Sequence, residues 1–439
     1  MLAFLLQTNA WITDGQVRLF ALFMLMVWLL WVIRVVLARH YWPTQYSWHG
    51  TASVIVPVVD EPADLFRQVL GRIVEQRPTE VIVVINGPRN PVLEKVCADL
   101  GVQWQWTETA GKRNAVRLGV ALSSGEISVL VDSDTLWTPG TLRELVKPFV
   151  DPAVGGVTTR QRILEPARNV LTRWADWLEN VRNEYSMPAM SVLGTVGCLP
   201  GRTIAFRREV LIGCMERFLT ERFLGVFLEV SDDRALTNYT LKAGYKTVYQ
   251  STSLVYTDAP TSLRKMLKQQ FRWARGSQYN TLRMLPWMLR EAPVLALFYT
   301  ADIVVPFVLV GSYLAWGVAL VHGRKTGLYD NLPLPDQPAE ALLALVVLSL
   351  SMTVLSFAIR FGRHFSHRPR DLVYLPVFML INVFALMPIR VLGFVRMGHN
   401  AGWGTRSNAY RGGSGRNPRT LIPYLLGMAM LAGAVLISV

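Results

Sequence analysis

Charged side chains are scarce in this chain. They make up 17% of its 439 residues against 51% hydrophobic ones, a balance more apolar than that of a soluble protein and suited to an integral membrane protein. Cysteine is scarcer still. Cys97, Cys198 and Cys214 stand far apart with no metal-ligand spacing, so they read as reduced cytosolic thiols rather than metal ligands. No basic module of a known nucleic-acid reader is present, and nucleic acid is not an expected partner. The formal net charge is nevertheless +14. Such an excess suits cytoplasmic loops and interfacial helices facing anionic membrane lipids, or attraction of acidic, phosphate-bearing substrates.

The length allows one large domain and a membrane part. A span needs roughly 20 apolar residues. Val17 to Ala38, Leu295 to Val321, Ala341 to Ile359 and Leu421 to Val439 meet that need. Arg34, Arg39 and His40 follow the first span, and positive-inside counting places the N-terminus outside and the next domain in the cytoplasm. The link holding Pro333, Pro335 and Pro338 then falls outside, and the basic run from Arg360 to Arg370 marks a return. Leu372 to Val395 is apolar but carries Pro376, Pro388 and Arg390. It is expected as an interfacial or re-entrant segment, giving four spans and both termini outside.

Thr51 to about Tyr256 reads as an α/β domain. Ser53–Pro57, Val81–Ile85, Val102–Trp106 and Ile127–Val131 are expected strands, and Asp64–Gln76 has helical spacing. Strands alternating with helices imply a mostly parallel sheet, with ligands beyond the strand carboxyl ends. Asn169 to Tyr185 places Trp174 and Trp177 on one face, which fits an interfacial helix or a core helix. Ser262 to Leu285 is amphipathic, with Leu263, Met266, Leu267, Phe271 and Ala274 on one face and Gln269, Arg272 and Trp273 on another.

Four short motifs carry chemistry. Asp132-Ser133-Asp134 closes a strand. Two carboxylates there can take a hard divalent cation together with a diphosphate, although such a pair also serves as a plain turn. In Gly111-Lys112-Arg113, Lys112 or Arg113 can hold phosphate, or simply begin a solvated helix. Asp232-Asp233-Arg234 supplies a carboxylate able to take a hydroxyl proton. Ser231 or Asp232 can equally cap the helix that runs through Leu241. Gln269, Arg272 and Trp273 offer an amide, a cation and an indole surface for a sugar. A tryptophan on such a helix also serves as a membrane anchor. Trp403-Gly404-Thr405-Arg406 lies in a glycine-rich loop that can close over a nucleotide or remain an ordinary solvated loop.

In this order, the motifs resemble those of processive family 2 glycosyltransferases, the group of hyaluronan, chitin-oligosaccharide (nodulation) and cellulose synthases and related capsule polymerases. The similarity is densest over Ser231–Tyr239, Gly244–Gln250 and Leu267–Trp273, which look like the hyaluronan and chitin-oligosaccharide branch. It extends from about Ser53 to Arg406. The resemblance implies a GT-A type α/β domain fused to an α-helical transmembrane domain with interfacial amphipathic helices. Its parts would be residues 1–50 (first span and linker), 51–260 (cytoplasmic catalytic domain), 261–291 (interfacial helix) and 292–439 (channel region with a gating loop at 400–419).

The resemblance also implies roles. Asp233, with Asp232 beside it, would be catalytic, and Asp134 would hold Mg2+ or Mn2+. Pro57, Glu61, Asn86, Lys112, Asp132, Asp134, Gln269, Arg272, Trp403, Thr405 and Arg406 would bind the nucleotide. Trp273, Cys198, Gly201 and Arg202 would meet the acceptor. The first two strands depart from the family pattern, ending Val59-Asp60-Glu61 and Ile85-Asn86-Gly87-Pro88. The donor expected is a UDP-sugar before a GDP-sugar. The expected activity is inverting polymerisation of a β-linked glycan, hyaluronan-like or chitin-like, with export through a multi-pass cell-membrane protein. Two rivals remain: a non-processive transferase loading a lipid carrier, and a non-catalytic glycan channel subunit.

Overall fold

The computed structural model describes residues 19–227, 229–322, 335–399 and 418–438. The first helix, α1 (Leu19–Arg39), is apolar on every side. Leu25 and Leu29 are 65% and 58% exposed. A helix with no polar face belongs in lipid.

The four expected strands form. They appear as β1 (Ala52–Val58), α2 (Ala63–Val74), β2 (Glu80–Asn86), α3 (Pro91–Asp99), β3 (Gln103–Thr107), α4 (Lys112–Leu122) and β4 (Ile127–Val131). β1 and β4 are buried along their whole length, which is why their sequences are unbroken apolar runs and not alternating ones. The chain continues through β5 (Leu136–Trp137), α5 (Thr141–Val146), β6 (Val154–Ile163), α6 (Val170–Val181), α7 (Met187–Val192), β7 (Thr203–Arg207) and α8 (Arg208–Leu219). A small hairpin, β8 (Arg222–Phe223) and β9 (Val226–Phe227), precedes α9 (Asp232–Lys242) and β10 (Lys246–Thr257).

The sheet order is β3-β2-β1-β4-β7-β6-β10-β5. It is mostly parallel; β7 runs against both its neighbours and β5 against β10. From β1 the chain goes first to β2 and β3 on one side and then crosses to β4 on the other. The crevice between β1 and β4 is therefore the topological switch point, where open α/β sheets bind ligands.

Among the described residues, seven α-helices follow: α10 (Leu263–Glu291), α11 (Pro293–Val321), α12 (Pro338–Arg360), α13 (Gly362–His367), α14 (Arg370–Ile381), α15 (Met387–Val395) and α16 (Ile422–Ser438). Trp174 and Trp177 of α6 are each 1% exposed. They are core residues, packed with Met266, Phe361, Leu375 and Phe378 of these helices. Trp177 stacks on Phe378 at 5.4 Å.

Among the described residues, five helical stretches are long and apolar enough to cross a membrane, one more than the four expected, because Arg370–Val395 also qualifies by length and composition. Pro376 and Pro388 do not break it. A π-helical turn at Asn382–Leu386 joins α14 to α15 and absorbs the irregularity. Over residues 370–395 the helix runs on without reversing direction. Both of its ends touch the α/β domain. Asp371 pairs with Arg173 of α6 at 3.0 Å. At the other end, a Cβ built on Gly398 would stand 3.3 Å from Leu224. That placement suits a helix lying along the domain.

Candidate active site

The switch-point crevice is rimmed by acids. Glu61 follows β1, and Asp132 directly follows β4. The Ser133 hydroxyl donates to Glu61 across the crevice at 2.9 Å. Asp134 reaches solvent there. Desolvation first, then the nearby charges of Asp132 and Glu61, push its carboxyl up to about 6. A carboxylate so destabilised is relieved by a cation. Among the described residues no three His, Cys, Asp or Glu groups form a cage. The protein thus offers a few hard oxygens, as in sites where Mg2+ takes its other ligands from phosphate and water.

Lys112 reaches into this cluster from the first turn of α4 and ion-pairs with Asp132. Burial disfavours its ammonium, but Asp132, Asp232 and Asp233 outweigh that and hold its pKa above the ordinary lysine value. The turn before it depends on Gly111, whose φ of 110° is closed to most side chains. Arg113, by contrast, is not available to phosphate. It is 3% exposed and donates to Asp232 at 2.7 Å, to Glu221 at 2.9 Å and to the Phe218 carbonyl.

That fork separates the two acids of the Asp-Asp pair. Asp232, expected beside Asp233 in the catalytic pair, is 5% exposed, and its carboxylate is turned inward onto Arg113. Nor does it cap α9. The residue at the cap is Ser231, whose side chain makes no capping bond. Ser231 is held at φ 64°, a strained backbone state for a non-glycine residue.

Asp233 is the acid aimed at the crevice. Its carboxylate accepts from the Gly201 N–H at 3.2 Å and from the Arg234 N–H at 2.8 Å. Burial raises its pKa above the usual carboxylate range, against those two bonds and Lys112. Gly201 is brought there by β7, and the Asp132 N–H donates to the Arg202 carbonyl at 3.0 Å. Asp233, Lys112, Asp132 and Gly201 thus form one cluster, although 121 positions separate the first two in sequence.

Helix α10 clamps this cluster. A Cβ on Gly276 would come within 2.4 Å of the Ser231 hydroxyl, so only glycine lets the helix approach. Tyr279 donates to the Val230 carbonyl at 2.7 Å, and Arg234 donates to Thr281 at 2.8 Å. Gly276, Tyr279, Glu221 and Arg283, which pairs with Glu221, were not among the residues expected from sequence.

The other expected residues divide. Gln269 and Trp273 border a small cavity with Arg202, Glu179 and Trp174. Met266 lines the same cavity while packing into the apolar core with Trp174 and Trp177, whereas Leu263, expected on that apolar face, is 53% exposed. Arg272 lines neither this cavity nor the next. Arg202 is tied to Glu179 and Gln161, both at 2.8 Å. Cys198 sits beside Asp233, and burial pushes its thiol up to about 12. Pro57 is buried inside β1, and Asn86 is 1% exposed. In the orientation that satisfies its neighbours, the Asn86 amide bridges the Val58 carbonyl and the Gly111 N–H. Neither Pro57 nor Asn86 presents a side chain to open space, so both shape the crevice from beneath. Trp403, Thr405 and Arg406 lie outside the described residues.

A second cavity, of about 200 Å³, shares Gln270 and Trp273 with the first. It runs from Arg234, next to Asp233, to Asp302 and Ile303 of α11 and Arg390 of α15.

A model of glycosyltransferase-like family 2 matches residues 49–276. The chain belongs to that family. It is a glycosyltransferase, and its curled, mostly parallel sheet is the GT-A arrangement. The chain is 27% identical over 389 residues to a hyaluronan synthase of Streptococcus pyogenes, covering 85% of this chain and 88% of the relative. It is also 27% identical to an N-acetylglucosaminyltransferase of Mesorhizobium japonicum, covering 84% of each. Among solved structures, a mannosyltransferase from Pyrobaculum calidifontis in complex with GDP-Man and Mn2+ is similar over 81% of this chain and 99% of its own, at 20% identity and a TM-score of 0.47.

Proposed function

We propose that this family 2 glycosyltransferase is a processive membrane synthase. It polymerises a β-linked glycan, hyaluronan-like or chitin-like, from nucleotide sugars, with UDP-sugars the first expected donors, and passes the product through its own helices. The observation that carries the reading is the cavity running from Arg234 and Trp273 to Asp302. It begins at Arg234, the residue after the proposed base, and ends in a helix apolar enough to span. An ionisable residue in such a helix marks a polar pathway. A transferase that releases its product after one sugar has no need of that path.

Asp233 takes the proton from the acceptor hydroxyl, held in place by the Gly201 and Arg234 amides. A raised pKa makes it a stronger base than an exposed aspartate. Lys112 offers positive charge to the diphosphate. Asp134, with Asp132 beside it, holds Mg2+ or Mn2+, which when bound neutralises charge on the leaving diphosphate. Trp273 gives the acceptor sugar a flat surface at the joint of the two cavities. Trp403, Thr405 and Arg406 would close over the nucleotide, and the catalytic domain would lie in the cytoplasm.

The test supplies purified protein with nucleotide sugars singly and in pairs, sizes the product, and digests it with linkage-specific lyases. A long polymer is expected. Trp273→Ala should still bind donor but lose extension by about 10²-fold through a misplaced acceptor. Single-sugar products from the parent protein would overturn the reading.

A further inference from the structure

Away from the active site, a cavity of about 500 Å³ lies where two candidate spans meet the α/β domain. Ala38, in the last turn of α1, and Arg363, just past α12, both line it. Those two spans end at Arg39 and Arg360, so the cavity sits at the level where apolar helix gives way to water. Trp42 also lines it and is 84% exposed, and Tyr46 nearby is 76% exposed. Amphipathic aromatics of this kind belong to the membrane–water boundary.

The lining is cationic. Arg160, Arg162, Arg363 and Arg368 face Glu184. Asp176 pairs with Arg162 and Arg368. Among the described residues, Arg160, Arg363 and Glu184 make no ion pair. The cavity also gathers polar atoms without partners: the hydroxyl of Tyr249, which is 2% exposed, Oδ1 of Asn183, which is 5% exposed, Nε of Arg160 and Oε2 of Glu184. Buried polar atoms are nearly always paired, and each exception calls for an explanation. Four exceptions around one cavity, two of them donors and two acceptors, fit a ligand that both accepts and donates.

We propose that this cavity binds the headgroup of an anionic phospholipid carrying free hydroxyls. The phosphodiester takes Arg160, Arg363 and the Tyr249 hydroxyl. The hydroxyls donate to Asn183 Oδ1 and Glu184. A membrane source is favoured over a dissolved phosphate because the cavity opens beside two span ends, where basic pockets meet anionic headgroups. Binding there fastens α13, which follows α12, to β6, β10 and the turn after α6.

The full-length protein, stripped of lipid in detergent, is given phosphatidylglycerol, phosphatidylethanolamine, phosphatidylcholine or soluble glycerophosphate. Its unfolding temperature and the lipid phosphorus it retains are then read. Phosphatidylglycerol should raise both in the parent. The rise should be lost in an Arg160→Gln, Arg363→Gln double variant and reduced in Tyr249→Phe. An equal rise with phosphatidylethanolamine or phosphatidylcholine overturns the proposal, as does an equal rise with glycerophosphate. If the double variant fails to fold, Tyr249→Phe carries the test, since it removes one hydroxyl, and an undiminished rise in that variant overturns the proposal.

Discussion

Asp232 and Asp233 are neighbours with opposite fates, and the difference lies in what each carboxylate touches. Asp232 is neutralised by a buried guanidinium, whereas Asp233 has only two amides and the Lys112 charge. Asp233→Asn should therefore keep donor affinity and lose about 10²–10⁴-fold in turnover, the usual size of a general-base contribution. Turnover near that of the parent would remove Asp233 from the chemistry. The pH dependence follows from the same burial. The base works deprotonated, and burial raises its pKa. Activity should rise with pH through an acid limb lying above the ordinary aspartate value of about 3.9. A kcat/KM profile with its acid limb at or below that value would contradict the assignment. Asp132, Asp134 and Asp233 were legible in the sequence because each stands in a short acidic motif at a strand or helix end. Arg113 was not. Beside Lys112 it reads as a second phosphate cation, and its partner Glu221, 108 residues away, carries no local sign.

Helices were easier to find than to orient. The apolar runs gave α1, α11, α12 and α16 close to their observed bounds, because length and composition decide them. The helical wheel of α10 put Met266 correctly in the core but also put Leu263 on the apolar face, where it is 53% exposed, since a wheel assigns faces without knowing where the α/β domain and the C-terminal helices meet the helix. Gly276 had no sequence signal at all; its need arises only from the Ser231 turn beneath it. The prolines of α14 and α15 suggested a break, but the π-turn kept the helix whole. Whether this helix crosses is tested by single cysteines at the exposed positions Ser366 and Arg396 in sealed, right-side-out vesicles. Both should resist an impermeant thiol reagent added outside and react once the membrane is opened. Labelling of Arg396→Cys alone from outside would make the segment a true span and move the Trp403 loop away from the site.

At the scale of the whole molecule, the question is whether one chain both builds and carries its product. The fold places Arg234, which follows the proposed base in sequence, the indole of Trp273 and the Asp302 helix around one cavity. Arg34 of α1 adds a cation 3.5 Å from Asp302, and such a charged pair is retained in a membrane helix chiefly where a polar path needs it. In proteoliposomes with the catalytic domain outward and donor supplied outside, polymer should accumulate inside, protected from an added glycan lyase. Ile303→Trp, which fills the cavity, should shorten the product while leaving transfer of the first sugar. Overpacking costs about 1–3 kcal/mol, so an unchanged elution profile and unchanged donor binding must accompany the result. Asp302→Asn keeps the volume and removes only the charge, and should slow extension less than Ile303→Trp. Full-length, protected polymer from Ile303→Trp would place the path elsewhere. Polymer wholly open to the lyase in the parent protein would leave the enzyme a membrane-bound synthase without transport.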